Sequence, residues 1–227
     1  MIHSIITWNM QGATTTDDNI WRSVILPYMN QGYGQRVLCL QECGGLPSSS
    51  TRGRPLYGPD FIWARYEGFI ICHFSWRDPN GRVNQALVLP RRPVTSRILM
   101  PLGGHRPAVG IHIDGIWIFC IHAASGSGYD VRRLLAGVQH EMAQLQGPNQ
   151  HYRVCVAGDF NRDFNQTMQL LPNNYHVGPP NLPTFSTRDP NPQRYYDYLV
   201  LRAPQPIMGI VDTGNMESDH FPVEYHI

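Results

Sequence analysis

Five apolar runs in this sequence close on polar side chains that could do chemistry together. Ala157-Gly158-Asp159-Phe160-Asn161 follows Val154-Cys155-Val156, so a carboxylate and an amide stand two residues apart at the end of a strand. In extended backbone such positions share a face, which lets Asp159 and Asn161 converge on one small site. Ser218-Asp219-His220-Phe221-Pro222-Val223 sets a carboxylate beside an imidazole just before another apolar run. Leu40-Gln41-Glu42 ends a strand on a glutamate, which is costly to bury unless it is paired or binds a cation. His122 closes the run Trp117–Ile121, and Asn9 follows the opening run at Trp8.

Each feature alone has an ordinary explanation: an Asx turn after a strand, a structural histidine, a chance Asp-His pair. Together they form an oxygen-rich set with few carboxylates, which suits magnesium or manganese rather than zinc. A phosphodiester resists attack because its anion repels nucleophiles. A divalent cation offsets the charge that builds on the phosphate, and acid and base groups handle the two protons.

These residues need elements that bring them together. Short runs rich in β-branched and aromatic residues predict strands at Ser4–Trp8, Val37–Gln41, Gly68–His73, Gln85–Leu89, Ala108–Ile113, Ile116–His122, Arg153–Ala157, Tyr196–Leu201 and Val223–His226. Asp114-Gly115 predicts a hairpin turn between two of them. Helices are expected at Asn19–Met29, capped by Asp17 or Asp18, at Tyr129–Leu145, stopped by Gly147-Pro148, and at Gln166–Leu171. Gly44–Pro59 and Val177–Gln193 read as loops. The pattern fits one α/β domain over residues 1–227, two packed sheets with helices on their outer faces, without a repeat or linker.

Composition narrows the partners. The net charge of +1 excludes a broad basic footprint, so any nucleic-acid contact is expected to be local. All 18 cationic residues are arginine and none is lysine. Bidentate phosphate recognition is one reading, escape from ubiquitin in a foreign cytosol a second, and lineage bias a third. Five cysteines, an odd number without C-x-x-C spacing, predict buried free thiols rather than disulfides or a zinc site. No signal peptide is visible and no apolar run is long enough to span a membrane.

The ordered set Trp8-Asn9, Gln41-Glu42, His122, Gly158-Asp159-Phe160-Asn161, Tyr196-Asp197-Tyr198 and Ser218-Asp219-His220 resembles the deoxyribonuclease I-like endonuclease/exonuclease/phosphatase superfamily. Thr7 to Gly12, Gln41 to Ser48, Arg82 to Val88 and Arg106 to Ile111 resemble, more narrowly, the catalytic B subunits of cytolethal distending toxins. The resemblance covers nearly the whole chain. It implies a four-layer α/β sandwich and a Mg2+-dependent endonuclease, with Mn2+ as the alternative ion, cutting DNA with little sequence specificity. Glu42 would be the principal metal ligand, helped by Asn9 and Asp219. Asp159 and Asn161 would hold the attacking water and a phosphate oxygen, Asp197 would orient His220, and His122, partnered by Glu67, would act on the opposite side of the phosphate. Arg106 and Arg162 match positions that contact DNA backbone. The resemblance further implies a secreted or delivered toxin acting in the host cell, in its nucleus, with delivery or receptor-binding subunits as partners. The same site could serve a phosphoinositide phosphatase, and a non-catalytic binding module is the third reading.

Overall fold

Alternation along the strands decides the layers. In β1 (Ser4–Asn9) and β2 (Arg36–Gln41), Ile5, Val37 and Cys39 face one apolar cluster while Ile6, Trp8, Leu38 and Leu40 face another. A strand buried on both faces must sit in a sheet covered on both sides. The structure, a computed structural model, describes all residues except 12–17, 32–34, 56–59, 77–82, 101–105, 127, 146–151, 173, 187–192, 203–206 and 215–217. Gly12, Asp17, Arg82 and Gly147-Pro148 therefore lie outside the described residues.

The first sheet adds β3 (Thr51–Pro55), β4 (Phe61–Tyr66), β5 (Phe69–Phe74), β6 (Gln85–Leu89), β15 (Ile210–Val211) and β16 (Val223–His226), in the order β15-β16-β1-β2-β6-β5-β4-β3. The second comprises β7 (Thr95–Leu99), β8 (Ala108–Ile113), β9 (Ile116–His122), β10 (Arg153–Asp159), β11 (His176–Gly178) and β14 (Asp197–Arg202), in the order β11-β14-β10-β9-β8-β7. A small ribbon pairs β12 (Phe185–Ser186) with β13 (Gln193–Arg194). The neighbours β1 and β2 run parallel, as do β9 and β10, so Asn9 aligns with Gln41 and Asp159 with His122. Helices cover the outer faces, giving the expected four-layer sandwich of two mixed sheets.

On the first sheet, Trp21, Ile25 and Met29 pack against Ile6, Trp8, Leu38 and Leu40. Their helix is segmented into α1 (Asp18–Ile20), a π-helical turn (Trp21–Ile25) and α2 (Leu26–Gln31). Pro27 cannot donate to the preceding turn and its ring crowds that turn's carbonyl. The wider π-turn, closed by Leu26 N–H on Trp21 O, accommodates it. On the second sheet, α3 (Gly128–Leu145) buries Val131, Leu134, Leu135, Val138 and Met142, an apolar stripe of helical period. A short α4 (Phe164–Met168) starts two residues earlier than expected, because Asp163 caps Asn165 N at 2.9 Å.

Several strands were invisible in the sequence pattern. β3 lies within the expected loop Gly44–Pro59 and carries Gly53 and Pro55, residues tolerated at a sheet edge. Gly53 is needed there, since a Cβ would stand 2.1 Å from the Trp63 indole. The Asp114-Gly115 turn forms as expected, with φ of 52° and 78°. All five cysteines are buried and free.

Candidate active site

Asp159 is the hub, and short hydrogen bonds fix both its oxygens. Asn9 Nδ2 donates to Oδ2 at 2.9 Å, Asn161 N to Oδ1 at 2.7 Å and Asn161 Nδ2 to Oδ2 at 3.0 Å. Asn161 converges with Asp159 by a different route from strand alternation. Its backbone is left-handed, at φ 47°, and the chain folds back through an Asx turn. The ordinary explanation of the motif is thus present, and it is what aims the amide. Burial first, and the charge of Asp197 second, push the Asp159 carboxyl up to about 7.

Asp197, paired with Asp159 across β14 and β10, reaches His220: Nδ1 and Oδ2 are 2.7 Å apart. Burial alone would lower the proton affinity of His220. The carboxylates of Asp197, Asp159 and Asp219 outweigh it and raise the imidazole to about 9. Its Nε2 stands 3.9 Å from Asp159 Oδ2 and 3.9 Å from Asp219 Oδ1. The backbone around His220 is tied down from three sides. Trp8 Nε1 donates to His220 O at 3.0 Å, Ser218 Oγ accepts from His220 N at 3.1 Å, and the same hydroxyl donates to Asn9 O at 2.8 Å.

His122 is in the opposite state. Burial, then Arg106, then His220 hold it well below the usual histidine range. Its Nε2 accepts from Arg106 Nη1 at 2.5 Å and stands 3.5 Å from Glu42 Oε1 and 3.7 Å from Asp159 Oδ2. With Nε2 accepting, the proton sits on Nδ1, which is buried without a partner among the described residues. Glu67 does not supply that partner, and the expectation is corrected. It is exposed at the tip of the β4–β5 hairpin, where Glu67 and Gly68 have φ of 46° and 86° and form the turn.

Glu42 also has a left-handed backbone, at φ 49°, and its side chain is about one-sixth exposed, at 17%. Arg106 is drawn into the site by His122 and also reaches Ala123 O at 3.3 Å. Arg162 is placed differently. It packs over Gly128, where a Cβ would lie 1.2 Å from its Nη1, and its Nε is buried without a partner among the described residues.

Asp159, Asp197 and His220 can each put a donor atom within 4.8 Å of the others. That trio is nonetheless a poor cation cage, because Asp197 Oδ2 is taken by His220 Nδ1 and His220 favours its proton, which leaves only Asp197 Oδ1 without a partner among the described residues. The oxygens of Glu42, Asn9 and Asp219 fit a hard cation better. Asp219 Oδ1 is buried with no hydrogen-bond partner among the described residues, a deficit that a bound divalent ion would remove.

One residue with no sequence signal completes the site. Thr184 is fully buried, and its Oγ1 accepts the backbone N–H of both Tyr196 and Asp197 at 3.0 Å. Its carbonyl accepts from Phe221 N at 2.8 Å, and Ser186 N donates to Asp219 O at 3.0 Å. The ribbon β12–β13 therefore ties the segment carrying Asp197 to the segment carrying Asp219 and His220. It lies in a stretch that reads as a loop.

The sequence pattern of the endonuclease/exonuclease/phosphatase family matches residues 6–220. The B subunit of the Escherichia coli cytolethal distending toxin is 28% identical over 246 residues, spanning 96% of this chain and 89% of that protein. Its Salmonella typhi homolog is 25% identical to this chain over 240 residues, spanning 98% of this chain and 88% of that protein. A chain in the crystal structure of the Haemophilus ducreyi cytolethal distending toxin superposes with a TM-score of 0.82 at 25% identity, covering 99% of this chain and 97% of that one.

Proposed function

The chain belongs to the endonuclease/exonuclease/phosphatase family, whose enzymes are metal-dependent hydrolases of phosphate esters, and from that premise we propose that it is a Mg2+-dependent DNA endonuclease. In this reading it is the catalytic component of a genotoxin, carried into a host cell by other toxin components and acting on nuclear DNA, as its likeness to the cytolethal distending toxin B subunits suggests. The observation that carries the chemistry is the pair of buried histidines flanking Asp159, one held by the Asp197 carboxylate and the other by the Arg106 guanidinium.

Divided this way, the groups match phosphodiester hydrolysis. Asp159, with a proton affinity near neutrality, takes the proton of the attacking water while Asn161 and Asn9 fix its orientation. His220, held by Asp197, gives a proton to the oxygen that leaves phosphorus. His122 keeps its Nε2 lone pair on Arg106, which aims the guanidinium fork at the phosphate from the other side. Glu42, Asn9 and Asp219 would hold the cation, Mg2+ or Mn2+, which when bound offsets charge on the phosphate. Arg162 would contact backbone farther along the strand. Such contacts position DNA without reading bases, so little sequence specificity follows.

Plasmid nicking tests the reading. Wild type should nick supercoiled plasmid with Mg2+ and stop in EDTA, and His122→Ala and His220→Ala should each lose roughly 100- to 10,000-fold. Nicking that persists in EDTA, or in His220→Ala at the wild-type rate, would sink it. A phosphoinositide phosphatase is the second reading, favoured by the net charge of +1, and phosphate release from that lipid under the same conditions separates the two.

A further inference from the structure

Beside His220 the surface opens into a pocket of about 220 Å³ lined by Leu182, Pro183, Phe185, Ser186, Thr213 and Phe221. Phe185 is its shared wall with the site: its ring centroid lies 4.7 Å from that of His220, and the two residues pair across an isolated β-bridge. The aromatic surface continues outward. Phe185 stacks on Tyr196 at 5.6 Å and 28° between planes, and the exposed Arg194 guanidinium lies 5.7 Å over the Tyr196 ring.

We propose that this pocket takes one unstacked nucleobase of the strand being cut, next to the bond that breaks, so that single-stranded or unpaired DNA is the preferred substrate. The proposal rests on the DNA reading above. The pocket is apolar at four of six positions, and its volume has room for a planar ring system. Leu182, at 45% exposure, and the half-buried Phe185 and Phe221 leave apolar surface open within a nucleotide's reach of a polar site. An aromatic face beside a cation is the arrangement that binds single strands, the ring stacking a base while the cation meets phosphate. Duplex DNA must first break a base pair to fill the pocket, whereas a single strand need not. The same demand disfavours a phosphoinositide headgroup, whose inositol ring is saturated and hydroxylated and offers no π face to stack.

The test uses the full chain with Mg2+ and three substrates: a single-stranded oligonucleotide, its blunt duplex, and the same strand carrying stable abasic residues throughout. Wild type should cut the base-bearing strand about tenfold or more faster than either of the others. Leu182→Ser and Phe185→Leu should bring the ratio of base-bearing to abasic cleavage toward one, and Phe185→Tyr should keep it. Phe185→Leu retains apolar packing on His220, so a variant that folds poorly still leaves the other to be read. Equal cutting of base-bearing and abasic strands by wild type, faster cutting of duplex, or a ratio unchanged in both pocket variants overturns the proposal. Cleavage of none of the three, with phosphate released from phosphoinositide, fails the DNA reading itself and takes this proposal with it.

Discussion

Around Asp159, proton affinity and fold stability are linked. A carboxyl raised to about 7 stabilises the fold below its ordinary 3.8 and loses that contribution as pH rises through 7. An imidazole raised to about 9 stabilises the fold below 6.5 and loses that contribution as pH rises through 9. Both therefore act in the same direction, whereas the lowered His122 acts in the opposite one below 6.5. Above that pH the metal-free protein should lose stability up to pH 9, as denaturant midpoints in EDTA would record. Asp159→Asn removes one of these costs. It should abolish nicking yet stabilise the metal-free protein at pH 8, by of order 1 kcal/mol. Asp197→Asn should lower the His220 titration midpoint by NMR, and an unchanged midpoint would remove Asp197 from the dyad. Backbone matters equally at Glu42, whose φ of 49° few side chains tolerate. Glu42→Gln is thus the cleaner probe of its carboxylate, whereas Glu42→Ala alters local conformation too.

Elements hold these groups through contacts that differ in how well sequence reports them. Thr184→Val keeps the shape but strands the buried N–H of Asp197, costing about 1–3 kcal/mol, and the half-buried N–H of Tyr196. It should cut kcat about tenfold or more and move the pH profile set by His220, with Thr184→Ser restoring both. Gly158→Ala should be worse for the fold. A Cβ there would lie 2.0 Å from Ile121 O, backbone that cannot swing aside, so a loss above about 3 kcal/mol is expected in thermal melts. The strands that end in Asn9, His122 and Asp159, and the one that Glu42 follows, were legible because burial on both faces leaves long apolar runs. β3, β7 and the ribbon β12–β13 were not, since edge and two-residue strands carry glycine, proline and polar residues without period. The link from Asp197 to His220 came from family resemblance rather than spacing. Thr184 left no trace, because its role depends on partners 12 and 13 residues away that no local pattern marks.

At the scale of the molecule, a net charge of +1 and the two arginines assigned to duplex backbone, Arg106 and Arg162, imply few released counterions. Binding to duplex DNA should weaken with salt at a log–log slope of about −2, near −0.9 per phosphate neutralised. A slope near −6 would require about six phosphates to be neutralised, more than Arg106 and Arg162 supply. We propose that the fold unfolds as one unit, because the apolar layer between the sheets draws on both of them. The order of the chain carries one more consequence. The site takes groups from both sheets, yet Asp219 and His220 arrive only just before β16, after every other contributing strand has been made. A cell synthesising this chain therefore holds no working copy until the segment carrying Asp219 and His220 has been translated. Expression of a version ending at Arg202 should leave the producer's own plasmid intact, while the full chain should nick it. On the proposed DNA-cutting activity, chain order alone thus delays the hazard to the cell that makes it.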